Sequence, residues 1–380
     1  MTEHESTAHA RVQFRVLEKG AFADADLAAM IELLTLAFER WPLVDPGVPT
    51  ADHLAWKMSS PGALWAAVLG EADGELVTTD TCIGYRVLLR GREAFRLQFV
   101  DHAVRPACRG RGVSSASIAF RQRTLAPHYD LSISDAQSPA MIRRAVKFGT
   151  RALGNRIRPL VRALDASEFA RRFAIQRGLA VWIGKPLGPL LGLRSGLRRS
   201  AGRAARGARP GGEPFQVLPS ERFDDRIDAF SAAASAPFDF IVVRSRQHLD
   251  WRYGDERGGR FTTRVAEDAD GAIVGYAVAR ARGDRGQLVD LLALPGRLDV
   301  VAALIEDLAG ALEQAGCIDV VCWLPQRHPY RVELYRSGFF DARHCPHITY
   351  RPCGASAEEL EFLADPATRI HFTLGDTDLV

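Results

Sequence analysis

Apolar residues recur at Leu27, Met30, Ile31, Leu34 and Phe38, the spacing of one helix face, and Trp41-Pro42 closes that run. A second short helix is expected after Thr50-Ala-Asp. The period then changes, and strands are expected over about 63–70, 76–89 and 94–104, with Ala72-Asp73-Gly74 as a hairpin turn. The third strand runs through Phe95, Leu97 and Phe99 into Val104-Arg105-Pro106. A turn follows, Arg109-Gly110-Arg111-Gly112-Val113, and Ser114-Ser115 open a helical run through Ile118, Phe120 and Leu125. A strand from Tyr129 to Ser134 and a helix from Ser138-Pro139 to Lys147-Phe148-Gly149 complete a first α/β unit, residues 11–165.

Residues 214–353 repeat much of that order. Strands are expected at Phe261–Ala266, Ala272–Ala281 and Gln287–Leu294. An amphipathic helix, Leu298–Glu313, ends near Gly316, and a strand, Ile318–Leu324, and a helix, Tyr330–Gly338, follow. Where the first unit has its glycine turn, this one has Leu294-Pro295-Gly296-Arg297-Leu298, with a single glycine. The pattern predicts two similar α/β units with mixed (α+β) sheets, the second degenerate, and residues 354–380 as a C-terminal extension.

At 380 residues with 47% hydrophobic positions, the chain is long enough for two ordinary cores. The first dozen residues are polar, unlike a secretory signal. The six cysteines show no paired spacing, which suits a reducing, cytoplasmic setting. His344-Cys345-Pro346-His347 has no second ligand cluster, so no metal is expected. The net charge of +3 conceals an asymmetry: Arg143 to Arg209 holds 17 basic residues and only Asp165 and Glu168 as acids. Within it, residues 166–213 form a basic inter-unit segment. Leu179 to Leu193 is apolar, but prolines, glycines and Lys185 break it, and it is too short to span a bilayer. Trp182 between flanking arginines suggests contact in the plane of an anionic membrane surface, peripheral on the inner membrane. An ordinary linker buried between the units is the alternative. No interleaved aromatic platform supports nucleic-acid binding.

Chemistry concentrates at the glycine turn. Gly110 and Gly112 let backbone N–H groups face a ligand without a Cβ in the way, and the positive end of the following helix favours a phosphate. The string Arg109-x-x-Gly112-x-Ser114, preceded by Val104-Arg105-Pro106, resembles motif A of the GNAT superfamily of CoA-dependent acyltransferases. Serine replaces the usual last small residue. Leu334-Tyr335-Arg336-Ser337-Gly338-Phe339 resembles the ending of many GNAT domains. The resemblance implies tandem GNAT-like domains and acyl-CoA as co-substrate. It implies that Arg109, Gly110, Arg111, Gly112, Val113 and Ser114 hold the CoA pyrophosphate. It also implies that the backbone of Ala103 and Val104 pairs with the pantetheine arm.

Acyl transfer to an amine needs a proton acceptor, and oxyanion stabilisation by a backbone N–H near Ala103 or Val104 would suffice for the tetrahedral intermediate. Asp101 and His102 sit on the strand before the turn with side chains expected on opposite faces. Asp135, at the end of the next strand, is a further candidate base. Many GNAT enzymes carry a tyrosine acid four residues before the closing glycine; counting back from Gly149 gives Ala145. Tyr253 or Tyr335 of the second unit would then supply a proton, or the thiolate would leave unaided. His248-Leu-Asp-Trp-Arg-Tyr253 reads as a substrate contact or as a capped helix packing Trp251 inward.

The layout resembles bacterial acyltransferases of lipid and polysaccharide pathways, including GNAT-type ceramide synthases. The expected function is N-acylation of an amphiphilic amine at the membrane surface, with a sphingoid-type long-chain base as the leading case. The alternatives are acetylation of an amino sugar or nucleotide sugar, and a non-catalytic CoA-binding module.

Overall fold

The computed structural model describes residues 12–176 and 213–379, apart from 39, 43, 44, 137–145, 147, 148 and 344. The expected helix at Ser138–Gly149, most of the basic segment, Ala145 and His344 therefore lie outside the described residues, wholly or in large part.

The first half contains β1 (Gln13–Glu18), α1 (Asp24–Phe38), α2 (Thr50–Met58), β2 (Trp65–Ala72), β3 (Glu75–Leu89), β4 (Arg92–Val104), α3 (Val113–Thr124), β5 (Leu131–Ala136), β6 (Arg151–Ala152) and β7 (Ile157–Ala163). Asp24 and Asp26 place negative charge in the first turn of α1, where the helix dipole favours it. After α4 (Ala166–Gln176), the second half runs through β8 (Phe215–Ser220), α5 (Arg226–Ser235), β9 (Phe240–Val242), β10 (Thr262–Asp268), β11 (Ile273–Arg282) and β12 (Arg285–Ala293). It ends with α6 (Leu298–Gln314), β13 (Asp319–Pro325), α7 (Arg331–Arg336), β14 (Phe340–Asp341) and β15 (His347–Pro352).

These elements form two mixed sheets, in order β1-β2-β3-β4-β5-β15-β6, with β9 against β3, and β14-β7-β13-β12-β11-β10-β8. In each, three antiparallel neighbours precede a parallel crossover: β4 to β5 through α3, and β12 to β13 through α6. The halves exchange their closing strands. β7 ends the first unit in sequence but pairs with β13, Ala163 opposite Asp319; β15 ends the second but pairs with β5, Ile348 opposite Asp135. Sheet membership thus departs from the sequence ranges 11–165 and 214–353. Short apolar strands carry no signal for which sheet edge they close, and adjacent crossovers leave both edges within reach.

Further contacts lock the halves together. Trp56 of α2 and Trp251 stack with centroids 5.0 Å apart, and each indole N–H donates to the other's carbonyl, at 2.7 and 3.1 Å. Residues 370–379 pass between the sheets. Arg96 of β4 donates to the Asp376 carbonyl at 3.0 Å, while fully buried Arg244 holds both Asp290 of β12 and the Asp376 carboxylate. No helix among the described residues is long and apolar enough to cross a membrane.

Candidate functional site

A cleft of about 530 Å³ lies where the glycine turn meets α1, lined by Phe38, His102, Val104, Gly110, Gly112 and Ser114 among others. Gly110 and Gly112 have φ of 79° and 82°, in the left-handed region where a side chain is strained, and space is open where either Cβ would stand. Gly112 is the N-cap of α3 with no side-chain cap, so the first-turn N–H groups of that helix are left for solvent or a ligand. Arg109 lines the cleft and is also held by backbone carbonyls. Its guanidinium donates to the Ala37 carbonyl at 2.9 Å and the Val104 carbonyl at 3.3 Å, tying the turn to α1.

β4 and β5 pair only through Arg96–Leu131 and Leu97–Ser132. Beyond that point β4 runs on to Val104, and no strand among the described residues pairs with its β5-facing edge. An extended chain bearing amide groups can add to such an edge. Ala103 and Val104 stand on it, beside the anion cradle.

A bulge decides what faces the cleft. Thr81 opposes Val100 and Thr79 opposes Ala103, so Asp101 and His102 together face the single residue Asp80. Asp101 takes the strain, at φ 54°. The extra residue moves His102 onto the face of Phe99 and Cys82, under α3, which strict alternation from Phe99 would have denied it. There His102 Nδ1 lies 2.8 Å from Asp80 Oδ1, and Nε2 lies 2.5 Å from Ser114 Oγ. Ser117 donates to Asp80 at 2.8 Å, and Arg121 pairs with it as well. Burial by itself would raise the Asp80 pKa, but Arg121 and then His102 outweigh it and hold the carboxyl below its ordinary value. His102 keeps 29% of its side-chain surface, whereas Asp80 has none.

Asp101 turns to the opposite side, accepting from Lys57 Nζ and Trp41 Nε1, both at 2.8 Å. Burial disfavours the Lys57 ammonium, but Asp101 and then Asp378 outweigh it and leave the pKa raised. Asp101 is thus committed to a part-buried ion pair. Asp135 is half-buried near the end of β5, opposite Ile348.

Among the described residues, the second unit places no side chain in the lining of this cleft. Tyr253 is buried, 3.1 Å from Asp290, and burial followed by that carboxylate pushes its pKa well up. Tyr335 bonds Asp341 and Arg331 beside β14. The expectation that either tyrosine serves as acid is corrected: neither lines the cleft. The His248–Tyr253 string packs inward, with Ser245 capping His248 N–H and Trp251 in the core. Among the described residues no group of His, Cys, Asp or Glu is placed to hold a metal.

Sequence reasoning missed Asp80, Ser117 and Arg121. Asp80 lies inside an apolar strand pattern, and an acid in that position is itself a signal of a buried partner. It also missed Asp378, held by Gln98 Nε2 at 3.4 Å, whose pKa burial raises.

The two sheets, each with a bulged strand before a helix crossover, define a tandem GNAT-like fold, and solved structures share it. The N-myristoyltransferase of Saccharomyces cerevisiae, solved with myristoyl-CoA and inhibitors, matches with a TM-score of 0.57 at 13% identity, over 94% of this chain and 83% of that one. A tandem GNAT protein from the clavulanic acid biosynthesis pathway matches with 0.53 at 16% identity, over 91% and 100%. A GCN5-related N-acetyltransferase from Anabaena variabilis matches with 0.59 at 10% identity, over 90% and 73%. No family model matches the sequence, and no curated protein does.

Proposed function

We propose that the protein is an acyl-CoA-dependent N-acyltransferase. The observation that carries this reading is the juxtaposition in one cleft of an anion cradle, Gly110–Ser114, and the edge of β4 beyond its pairing with β5. A pyrophosphate would take the first-turn N–H groups of α3, and a pantetheine arm would pair along Ala103 and Val104. That placement brings the thioester toward the bulge, where a backbone N–H of β4 can stabilise the oxyanion. His102 is the base: it lines the cleft, and Asp80 fixes its ring. No protein acid is assigned, since a thiol of pKa about 8.5 yields a tolerable leaving group.

For the acceptor we propose an amphiphilic amine, with a sphingoid-type long-chain base as the leading case, met at an anionic membrane surface. Two things support this finer reading: the basic, interrupted apolar segment at 166–213, and a fold shared with an enzyme whose structure holds myristoyl-CoA. Thiol release measured across acyl-CoA chain lengths, with a long-chain base in anionic vesicles against a soluble amino sugar, tests both levels. Long-chain turnover that rises with anionic lipid is expected. Turnover of acetyl-CoA with the amino sugar alone would replace the lipid reading and keep the acyltransferase. His102→Ala is expected to lower kcat by roughly 10²–10⁴-fold with little change in acyl-CoA affinity.

A further inference from the structure

The relay Arg121–Asp80–His102–Ser114 contains a restriction that the roles assigned so far do not use. An ionised carboxylate only accepts hydrogen bonds, so in the neutral ring that a base requires, His102 Nδ1 carries the proton given to Asp80 and Nε2 is the bare nitrogen. Ser114 Oγ, 2.5 Å away, must then donate its one proton to Nε2. While that bond stands, the nitrogen lone pair cannot take a proton from an amine. The hydroxyl in turn cannot donate to a ligand in the cleft.

We propose that Ser114 is a latch on His102, released when the pyrophosphate of acyl-CoA enters the cradle. The proposal rests on the reading of the cleft as a CoA site and of His102 as its base. Ser114 is the second residue of α3 and lines the cleft with Gly110 and Gly112, where the anion would sit. A pyrophosphate oxygen is a stronger acceptor than a neutral imidazole, because hydrogen bonds to ionised acceptors are roughly twice as strong. Rotation about a single side-chain bond transfers the hydroxyl from ring to phosphate, with no covalent step. The imidazole does not follow, because Ser117 and Arg121 anchor Asp80 from the same helix. His102 is then held by Asp80 alone with Nε2 exposed to the amine. Asp80 acts as a positioning residue that sets the tautomer. The consequence is order: acyl-CoA must bind before the base can work.

The charged groups facing the ring are Asp80 of β3 and Arg121 of α3; Asp101, next along β4, turns to Lys57 of α2. The test is ¹⁵N NMR of the histidine rings in the full-length protein, with the His102 signals identified through His102→Gln. CoA and pantetheine are the probes. In the free protein an Nδ1–H tautomer with a hydrogen-bonded Nε2 is expected. CoA should free Nε2 and raise the pH at which His102 titrates. Pantetheine, which lacks the pyrophosphate, should do neither. Phosphate charge alone also raises that pH, so the decisive comparison is Ser114→Ala. The rise on adding CoA should be larger in the wild type, by roughly half to one pH unit, since only the wild type has a donor to lose. Equal rises in the two proteins would overturn the latch and leave the CoA site standing. No CoA binding by calorimetry would overturn both. A serine ester at Ser114, found by mass spectrometry after incubation with acyl-CoA, would also overturn the latch, because it would make the hydroxyl a nucleophile.

Discussion

Gly112 is the residue whose replacement speaks most directly to ligand binding. Open space surrounds the place where its Cβ would stand, so the protein itself sets no steric bar there. The bar is its φ of 82°, which costs an L-residue roughly 1–2 kcal/mol, together with the ligand that would approach that side. Gly112→Val is therefore expected to weaken CoA binding at least tenfold by calorimetry while the protein stays folded. Normal affinity in that variant would show that the anion does not sit at α3. Asp80 carries a different cost. Its depressed pKa means that its ionised form is bound more firmly in the folded state. That contribution is complete above the ordinary carboxylate pKa and is lost as pH falls through the lower, folded value. This group alone would therefore leave α3 docked at pH 5.

At the scale of elements, the same device occurs twice with different outcomes. β12 also bulges against β11: Val278 opposes Asp290 and Ala279 opposes Leu288, leaving Val289 extra. The loop that follows, however, has only Gly296 in the left-handed region. Arg297, at the start of α6, is tied to Asp299 and to the Glu213 carbonyl at 2.9 Å. Where the first copy directs a histidine to a cleft, the second directs Asp290 into a closed network with Arg244, Tyr253 and Tyr276. One CoA per chain is the expected stoichiometry in a calorimetric titration. Two would mean that α6 accepts a pyrophosphate despite its single glycine. The arginines of α4 are also partly spoken for, since Arg171 pairs with Glu168 and Arg172 with Asp284.

Across the whole molecule, stability depends on charges sealed between the sheets. Arg244 has no exposed surface and pairs with Asp290 and Asp376, so Arg244→Met would strand two buried carboxylates and free the 370–379 strap. Breaking one side of such a pair typically costs about 3–5 kcal/mol, which urea unfolding would read as a lower midpoint. Four buried histidines give the pH dependence, with His328 and His371 lowered by burial alongside the two that follow. Burial, then Lys57, lowers His53 to about 4, and burial, then Arg244, lowers His248 to about 3. Both stay neutral when folded and take up protons when unfolded below their ordinary pKa of 6.5. Stability should therefore fall as pH drops from 6.5 toward 4, by about 1.4 kcal/mol per pH unit for each such group. Thermal unfolding across that range checks the slope, and a flat profile would mean that these rings are hydrated in the folded protein.

Local pattern determined a large share of this protein. Helical spacing placed α1 and α6, alternation placed β2 to β4 and β10 to β12, and the glycine turn marked the cradle, because periodicity and positive-φ turns are written in neighbouring residues. Whatever depends on distant partners was decided by tertiary structure. The exchange of β7 and β15 between sheets is one case, since a short strand pairs with whichever edge the rest of the fold leaves open. The path of the 370–379 strap is another, set by Arg96 and Arg244 from far along the chain. The clearest case is His102. Sequence alternation places Asp101 and His102 on opposite faces, but counted from Phe99 it gives each the face the other takes. One extra residue in β4 reverses this, sending Asp101 to Lys57 and His102 to Asp80 and Ser114. A bulge is a relation between two strands and appears only once they pair.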